Sequence, residues 1–202
     1  MEAKKKIPIT LITGNKKKLE EFMAIMSEDL AAAYDVRSMA IDLDELQGEP
    51  EFIASRKAKL ATHQVPTPVI VDDVSLCFNA LKGLPGPYIK SFLDKIGRQG
   101  LVDMLKGFDD KTGYAQCIYA YCESPETEPV VFIGKCDGQI VSPRGENMFG
   151  WDPIFLPNGH EQTFAEMDME VKNKISHRGM AGELIKDFLR QNAERLSEKF
   201  NQ

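Results

Sequence analysis

The sequence carries only four cysteines, Cys77, Cys117, Cys122 and Cys136, and no two of them form a Cys-x-x-Cys pair. It has three histidines and no His-x₃-His spacing, so the ligand pattern of a zinc site is missing. All four cysteines lie in apolar runs, which reads as buried, reduced thiols and suits a reducing compartment. A long hydrophobic run is also missing. The apolar stretch Ile7 to Ile12 is interrupted by Pro8 and is too short for a signal-peptide core. No stretch reaches the roughly 20 apolar residues that a spanning helix needs, so no membrane partner and a cytoplasmic location are expected. Basic charge is in deficit: 25 Lys and Arg stand against 31 Asp and Glu, for a net −6. Generic nucleic-acid binding, which is driven by phosphate neutralisation, is therefore not expected. An acidic chain can still bind a small polyanion where its lysines cluster.

What is present is an ordinary globular composition over 202 residues, 43% hydrophobic and 28% charged. That length fits a single domain, 1–202, with two lobes and a core that needs no disulfides. Ile7 to Ile12 reads as a buried strand ending at Gly14, and Asn15 as the cap of a helix carrying Leu19, Phe22, Met23 and Met26 at helical spacing. Tyr34 to Met39 is a second strand, and Ile41 to Pro50 an acidic loop. Glu51 to His63 reads as a helix whose apolar side is Phe52, Ala58, Leu60 and Ala61. Val69-Ile70-Val71 is a buried strand running into a loop at Asp72-Asp73, and Gly83 to Pro87 is a rigid turn. Tyr88 to Lys106 reads as two short helices broken at Gly97 to Gly100. Thr112 to Cys122 and Val130 to Val141 read as a long antiparallel hairpin turning at Ser124 to Pro129. Pro143 to Pro157 is a Gly/Pro-rich loop, and Ser176 to about Leu196 a terminal helix. The fold class expected is α/β with a mixed sheet, the hairpin lobe packed beside an α/β lobe, and an active-site cleft between them.

Five groups of residues could carry chemistry. Thr13-Gly14-Asn15-Lys16-Lys17-Lys18 is a strand–turn–helix junction that offers amides, a positive helix end and lysines to an anion. The alternative is a capped helix with a solvated lysine run, and no Walker A pattern is present. Asp72-Asp73 could hold a cation and activate water, or form an exposed acidic turn. Asp42, Asp44, Glu45 and Glu49 could supply a second carboxylate or be a plain surface loop. In Phe149-Gly150-Trp151-Asp152-Pro153 an aromatic could stack on a base, while Trp151 reads better as a core anchor. Lys172 with Ser176-His177-Arg178 places cations at a helix start, where the dipole disfavours them, so they either answer to an anionic or carbonyl-bearing ligand or are a solvated helix start.

Taken together, these stretches resemble the inosine triphosphate pyrophosphatase family, the Ham1-like non-standard purine nucleoside triphosphate pyrophosphatases. The match is carried by Thr13 to Glu21, Leu46 to Pro50, Leu76 to Leu81, Gly83 to Lys90, Pro143 to Gly145, Phe149 to Pro153, Glu161 to Thr163, Ala165 to Met167 and Ser176 to Arg178, in family order from about Ile7 to Leu189. The resemblance implies hydrolysis of ITP, dITP and XTP to the monophosphate and pyrophosphate, with Mg²⁺ or Mn²⁺, in a homodimer. It puts Thr13, Gly14, Asn15, Lys16, Lys17, Lys18, Lys57 and Lys90 on the phosphates. Glu45 and Asp73 take the metal positions, and Asp73 also the position of the catalytic carboxylate. Phe149, Gly150, Trp151, Asp152, Lys172, His177 and Arg178 fall at the base and sugar. One departure is visible: where the family has Ser or Thr after the aspartate, a substrate-contact position, this chain has Val74. Rival readings are a Maf-like pyrophosphatase acting on pyrimidine or modified nucleotides, and a nucleotide-binding module without catalysis.

Overall fold

The structure is a computed structural model and describes residues 5–44, 46–147 and 149–200. Seven strands and six α-helices appear among them: β1 (Ile7–Ile12), α1 (Lys16–Ile25), α2 (Glu28–Ala33), β2 (Tyr34–Met39), α3 (Pro50–Thr62), β3 (Val69–Phe78), β4 (Pro85–Gly86), α4 (Ile89–Asp103), β5 (Thr112–Cys122), β6 (Val130–Ile140), β7 (Phe155–Pro157), α5 (Met169–Ile175) and α6 (His177–Phe200). The sheet is mixed, with strand order β2-β1-β3-β5-β6-β7 and β4 paired to β3. β1 runs parallel to both β2 and β3, with Thr10 to Ile12 opposite Val69 to Val71. β5 and β6 are neighbours joined by residues 123–129, a connection too short for a parallel crossover, so they form the expected hairpin.

The chain forms two compact units. The first comprises Met1–Asp72, Ile118–Ile133 and Ala181–Gln202; the second comprises Asp73–Cys117 and Gly134–Met180. In the first unit the alternation of β5 decides the layers. Ile118, Ala120 and Cys122 pack with Ala54, Ala58 and Ala61 of α3. Tyr119 and Tyr121 point the other way, where they meet Phe22 of α1 at 5.4 Å and Phe188 of α6 at 5.1 Å between ring centroids. Helices thus cover both faces of this part of the sheet, which is why β1 and the start of β3 are almost wholly buried and mostly apolar. In the second unit Leu76, Phe78, Leu101, Trp151, Phe155 and Phe164 belong to one buried cluster.

Three expectations are corrected. β3 does not stop at Val71 but continues to Phe78, so Asp72 and Asp73 stand within a strand and not in a loop. Phe52 is 53% exposed, because small alanines and Ile53 fill the buried side of α3. The Gly/Pro-rich loop carries strand β7, and α2 and α5 were not anticipated; both are short and preceded by single extended residues, Ser27 and Asp168. The expected pair of short helices is present: α4 is two helical stretches broken at Gly97, whose φ of 67° is non-helical. The four cysteines are buried and in no disulfide, as expected. Among the described residues, no helix is long and apolar enough to cross a membrane.

Candidate active site

In the first unit, the end of β1 and the start of α1 form the Thr13 to Lys18 junction. Thr13 is tied back by its amide to the Met39 carbonyl at 2.9 Å, and its hydroxyl accepts the Asn15 amide at 3.1 Å. Asn15 is the helix cap: its side-chain oxygen accepts the amides of Lys17 at 3.0 Å and Lys18 at 3.4 Å. The capped-helix reading is therefore correct as local structure. Asn15 serves as an acceptor, and two amides of the first turn are already engaged by it. Gly14, Lys16 and Lys17 are exposed, whereas Lys18 turns inward. Its ammonium donates to the Asp72 carbonyl at 2.9 Å and to Asp72 Oδ1 at 3.2 Å. Lys57, on α3, is half-buried.

The two aspartates part company, as neighbours in a strand must. Asp72 is 6% exposed and paired with Lys18. Asp73 is half-buried and opens the second unit. Val74, also half-buried, packs against the apolar cluster of that unit, which gives the departure from Ser or Thr a packing role. Lys90 is exposed on the first turn of α4.

The second unit gathers the remaining residues closely. Trp151 is 7% exposed and lies edge-on to Phe155, so it anchors the loop in the core, as the sequence favoured. The His177 ring sits 5.2 Å from Trp151 and stacks on Phe164 at 5.9 Å. Lys172 and Asp152 form an ion pair at 2.6 Å, both side chains 5% exposed, and Phe149 lies 5.4 Å from the Lys172 ammonium. Arg178 is 4% exposed. The solvated-helix-start reading of His177 and Arg178 is thus overturned. Ser176 terminates α5 in an extended conformation and accepts the Gly179 amide at 3.1 Å, so α6 starts inside the unit and not at its surface. Gly179 is required there: a Cβ would stand 1.7 Å from the Asn173 carbonyl oxygen. Lys172, His177 and Arg178 all carry N–H donors, which suit a ligand with a carbonyl or anionic edge.

One participant escaped the sequence reading. Arg98, just after the Gly97 bend, donates from Nε to the Gly150 carbonyl at 2.8 Å and so holds the Phe149–Trp151 loop. The glycine break ahead of it was the available signal. Glu45, one of the two expected metal ligands, lies outside the described residues. Among the described residues no group of three or more His, Cys, Asp or Glu side chains gathers for a metal. Asp73 remains as an oxygen donor, and Mg²⁺ is the divalent ion suited to one or two carboxylates completed by waters and phosphates.

Comparison with known proteins follows the same residues. A family model described as the Ham1 family matches residues 9–188. An inosine triphosphate pyrophosphatase from Tuber melanosporum (strain Mel28) is 52% identical over 185 residues, covering 91% of this chain and 98% of that protein. Among solved structures, a HAM1 protein from Coxiella burnetii has a TM-score of 0.80 at 29% identity, over 92% of this chain and 99% of the other. The Staphylococcus aureus Ham1 protein has a TM-score of 0.78 at 30% identity, over 92% and 99%. A nucleoside-triphosphatase, a dITP/XTP pyrophosphatase from Mycobacterium abscessus, has a TM-score of 0.70 at 28% identity, over 89% and 98%.

Proposed function

This chain belongs to the Ham1 family, and on that footing we propose that it hydrolyses non-canonical purine nucleoside triphosphates, ITP, dITP and XTP, to the monophosphate and pyrophosphate, clearing them from the nucleotide pool. The observation that supports the reading is the burial of Lys172, His177 and Arg178 in the second unit, with Lys172 paired to Asp152 beside Phe149 and His177 packed on Trp151.

Each group has a task that its chemistry suits. Lys16, Lys17, Lys57 and Lys90, with the amide-bearing start of α1, neutralise the triphosphate. Asp73 orients a water and takes its proton as that water attacks the α-phosphorus. Asp73 and Glu45 would hold Mg²⁺, which supplies charge neutralisation of the leaving pyrophosphate. Phe149 offers a ring face to the base. Hypoxanthine and xanthine present a carbonyl oxygen at C6, where adenine presents an amino group. Arg178 has donors only, so a 6-amino base would leave buried donors unpaired, and a site of this kind rejects such a base by several orders of magnitude.

A panel of ITP, dITP, XTP, ATP, GTP, dTTP and UTP, assayed for pyrophosphate with Mg²⁺, tests the reading. ITP, dITP and XTP are expected to lead. Faster release from dTTP or UTP would give the chain to Maf-like chemistry instead, and tight ITP binding without release would make it a binding module. Val74 lends the binding-module reading no support, since it has a packing role of its own. The reading also includes a homodimer in the cytoplasm, checked by light scattering on the purified chain and by fractionation.

A further inference from the structure

We propose that Glu166 is a positioning residue for the loop that carries Phe149 and Asp152, acting through Thr163 and Arg144 to fix where that loop meets the base; this rests on the pyrophosphatase reading above. The loop joins β6 to β7, and the chain leaves and returns at one point. There the Arg144 amide donates to the Pro153 carbonyl and the Val141 amide to the Ile154 carbonyl, each at 2.9 Å. Phe149 and Asp152 lie between these two ends, and loops whose ends are close are frequently functional.

The neck of the loop is gripped by the turn from Thr163 to Glu166. The Oε2 atom of Glu166 accepts the Thr163 amide at 2.7 Å and lies 3.0 Å from the Thr163 hydroxyl, which is also 3.1 Å from the Arg144 carbonyl. A hydroxyl has one proton, so the two oxygens share it. The Arg144 guanidinium donates to the Glu161 carbonyl at 3.2 Å, and its Nε stands 3.7 Å from the Glu166 carboxylate. Gly145 shows how closely the loop lies on this turn: its φ is 97°, and a Cβ there would be 2.8 Å from the Ala165 Cβ. The turn is fastened to the core on its other side. Thr163 and Phe164 are fully buried, the Phe164 amide donates to the Phe155 carbonyl at 3.1 Å, and its ring lies 6.4 Å from that of Trp151. Glu166 thus organises the link between core and loop. Its side chain is 27% exposed, so its part is hydrogen bonding and not packing. Hydrogen bonding from the Thr163 amide is the leading cause that holds its carboxyl below the ordinary range, which keeps it an acceptor at neutral pH. The long, solvated ion pair to Arg144 adds little.

The test uses the full chain carrying Glu166→Ala, Thr163→Val or Glu166→Gln. Three quantities are measured: ITP kinetics with Mg²⁺, inhibition by inorganic tripolyphosphate, and acrylamide quenching of Trp151, the single tryptophan, without nucleotide. A misplaced aromatic contact to the base predicts a KM for ITP raised ~10-fold in Glu166→Ala and Thr163→Val, with kcat within about twofold. Tripolyphosphate inhibition should be unchanged, because that ligand has no base to place. Quenching of Trp151 should rise in both variants. Glu166→Gln keeps an acceptor for Thr163 and should restore wild-type KM and quenching. Wild-type KM and quenching in both Glu166→Ala and Thr163→Val overturn the proposal. So does a tripolyphosphate inhibition constant that rises in step with KM, which would mark general damage. A Glu166→Gln variant as impaired as Glu166→Ala overturns the hydrogen-bonded clamp. Should Glu166→Ala fail to fold, Thr163→Val, which leaves the Thr163 amide on Glu166, decides by the same readings. A wild type that releases no pyrophosphate from ITP ends the pyrophosphatase reading and the base-binding half of this proposal. Trp151 quenching then judges the clamp alone: raised in the variants, it stands; unchanged, it falls.

Discussion

The lysine-rich turn of the first unit and the aromatic cluster of the second are built on opposite plans. The first keeps Lys16 and Lys17 in water around a capped helix start. The second buries Lys172, His177 and Arg178 to 4% exposure or less, with His177 packed on Trp151 and Phe164. Exposed cations attract a polyanion cheaply and are screened by salt. Buried donors do little for long-range attraction, but they penalise any partner that fails to satisfy them. Under the proposed function, affinity for phosphates and selectivity for the base would be separable, because the residues proposed for each differ in solvation.

The comparison can be broken at several points. Asp73→Asn serves both plans and should cost most. The proton acceptor is lost while shape is kept, so kcat for ITP should fall ~10²- to 10⁴-fold in a pyrophosphate-release assay. Lys172→Met should act on folding before chemistry. It removes the Lys172 cation from the buried Asp152 carboxylate, and urea unfolding should show a loss of about 3–5 kcal/mol. Adding Asp152→Leu should recover much of that loss, since an apolar pair can replace a buried ion pair; no recovery would mean the pair is not what stabilises this cluster. Arg178→Ala should lower kcat/KM for ITP by ~10²-fold and narrow the ITP-to-ATP ratio. Undiminished ITP hydrolysis with no gain on ATP would sink the selectivity model. Lys16→Ala should be mild, raising KM severalfold at low salt, converging on wild type as ionic strength screens it, and leaving Tm unchanged.

The smallest effect concerns pH. Arg195 and Lys199 bind the Glu123 carboxylate and hold it below its usual pKa, with hydrogen bonding from Arg195 the leading cause. A depressed carboxylate stabilises the fold above its unfolded pKa and loses that contribution as pH falls through the folded one. The Tm gap between wild type and Glu123→Gln should therefore shrink as pH drops below about 4.5, the ordinary glutamate value. A gap that is constant with pH would show that the ion pairs add nothing.

Much of the fold was legible because its signals are local. β1, β2 and the hairpin strands β5 and β6 stand within a residue of where periodicity and turn residues placed them. Asn15 was readable as a cap because capping needs only one acceptor and two amides within three residues. Gly97 was readable as the break between two short helices, because a glycine that leaves helical φ/ψ is a local signal. The extension of β3 through two aspartates was hidden, because adjacent carboxylates lower strand propensity and only a partner such as Lys18 makes Asp72 tolerable inside. Two glycines early in α6 also looked like weak points. Gly179 and Gly182 are there because a Cβ would meet the Asn173 carbonyl at 1.7 Å and the Ile25 side chain at 2.6 Å, contacts no local rule can foresee.

The sequence by itself determined the inventory: a capped lysine-rich turn, a carboxylate pair after an apolar strand, an aromatic loop, and a Ser-His-Arg helix start in family order. Those depend on spacing along the chain, which is covalent. Only the tertiary structure decided which members meet water and which meet each other. It split the Asp72-Asp73 pair, packed His177 on Trp151 and Phe164, buried Arg178, and turned Lys18 inward, unlike its two neighbours. The reason is that burial and charge pairing join residues far apart in sequence, as with the 54 positions between Lys18 and Asp72, and no local pattern records such a partnership.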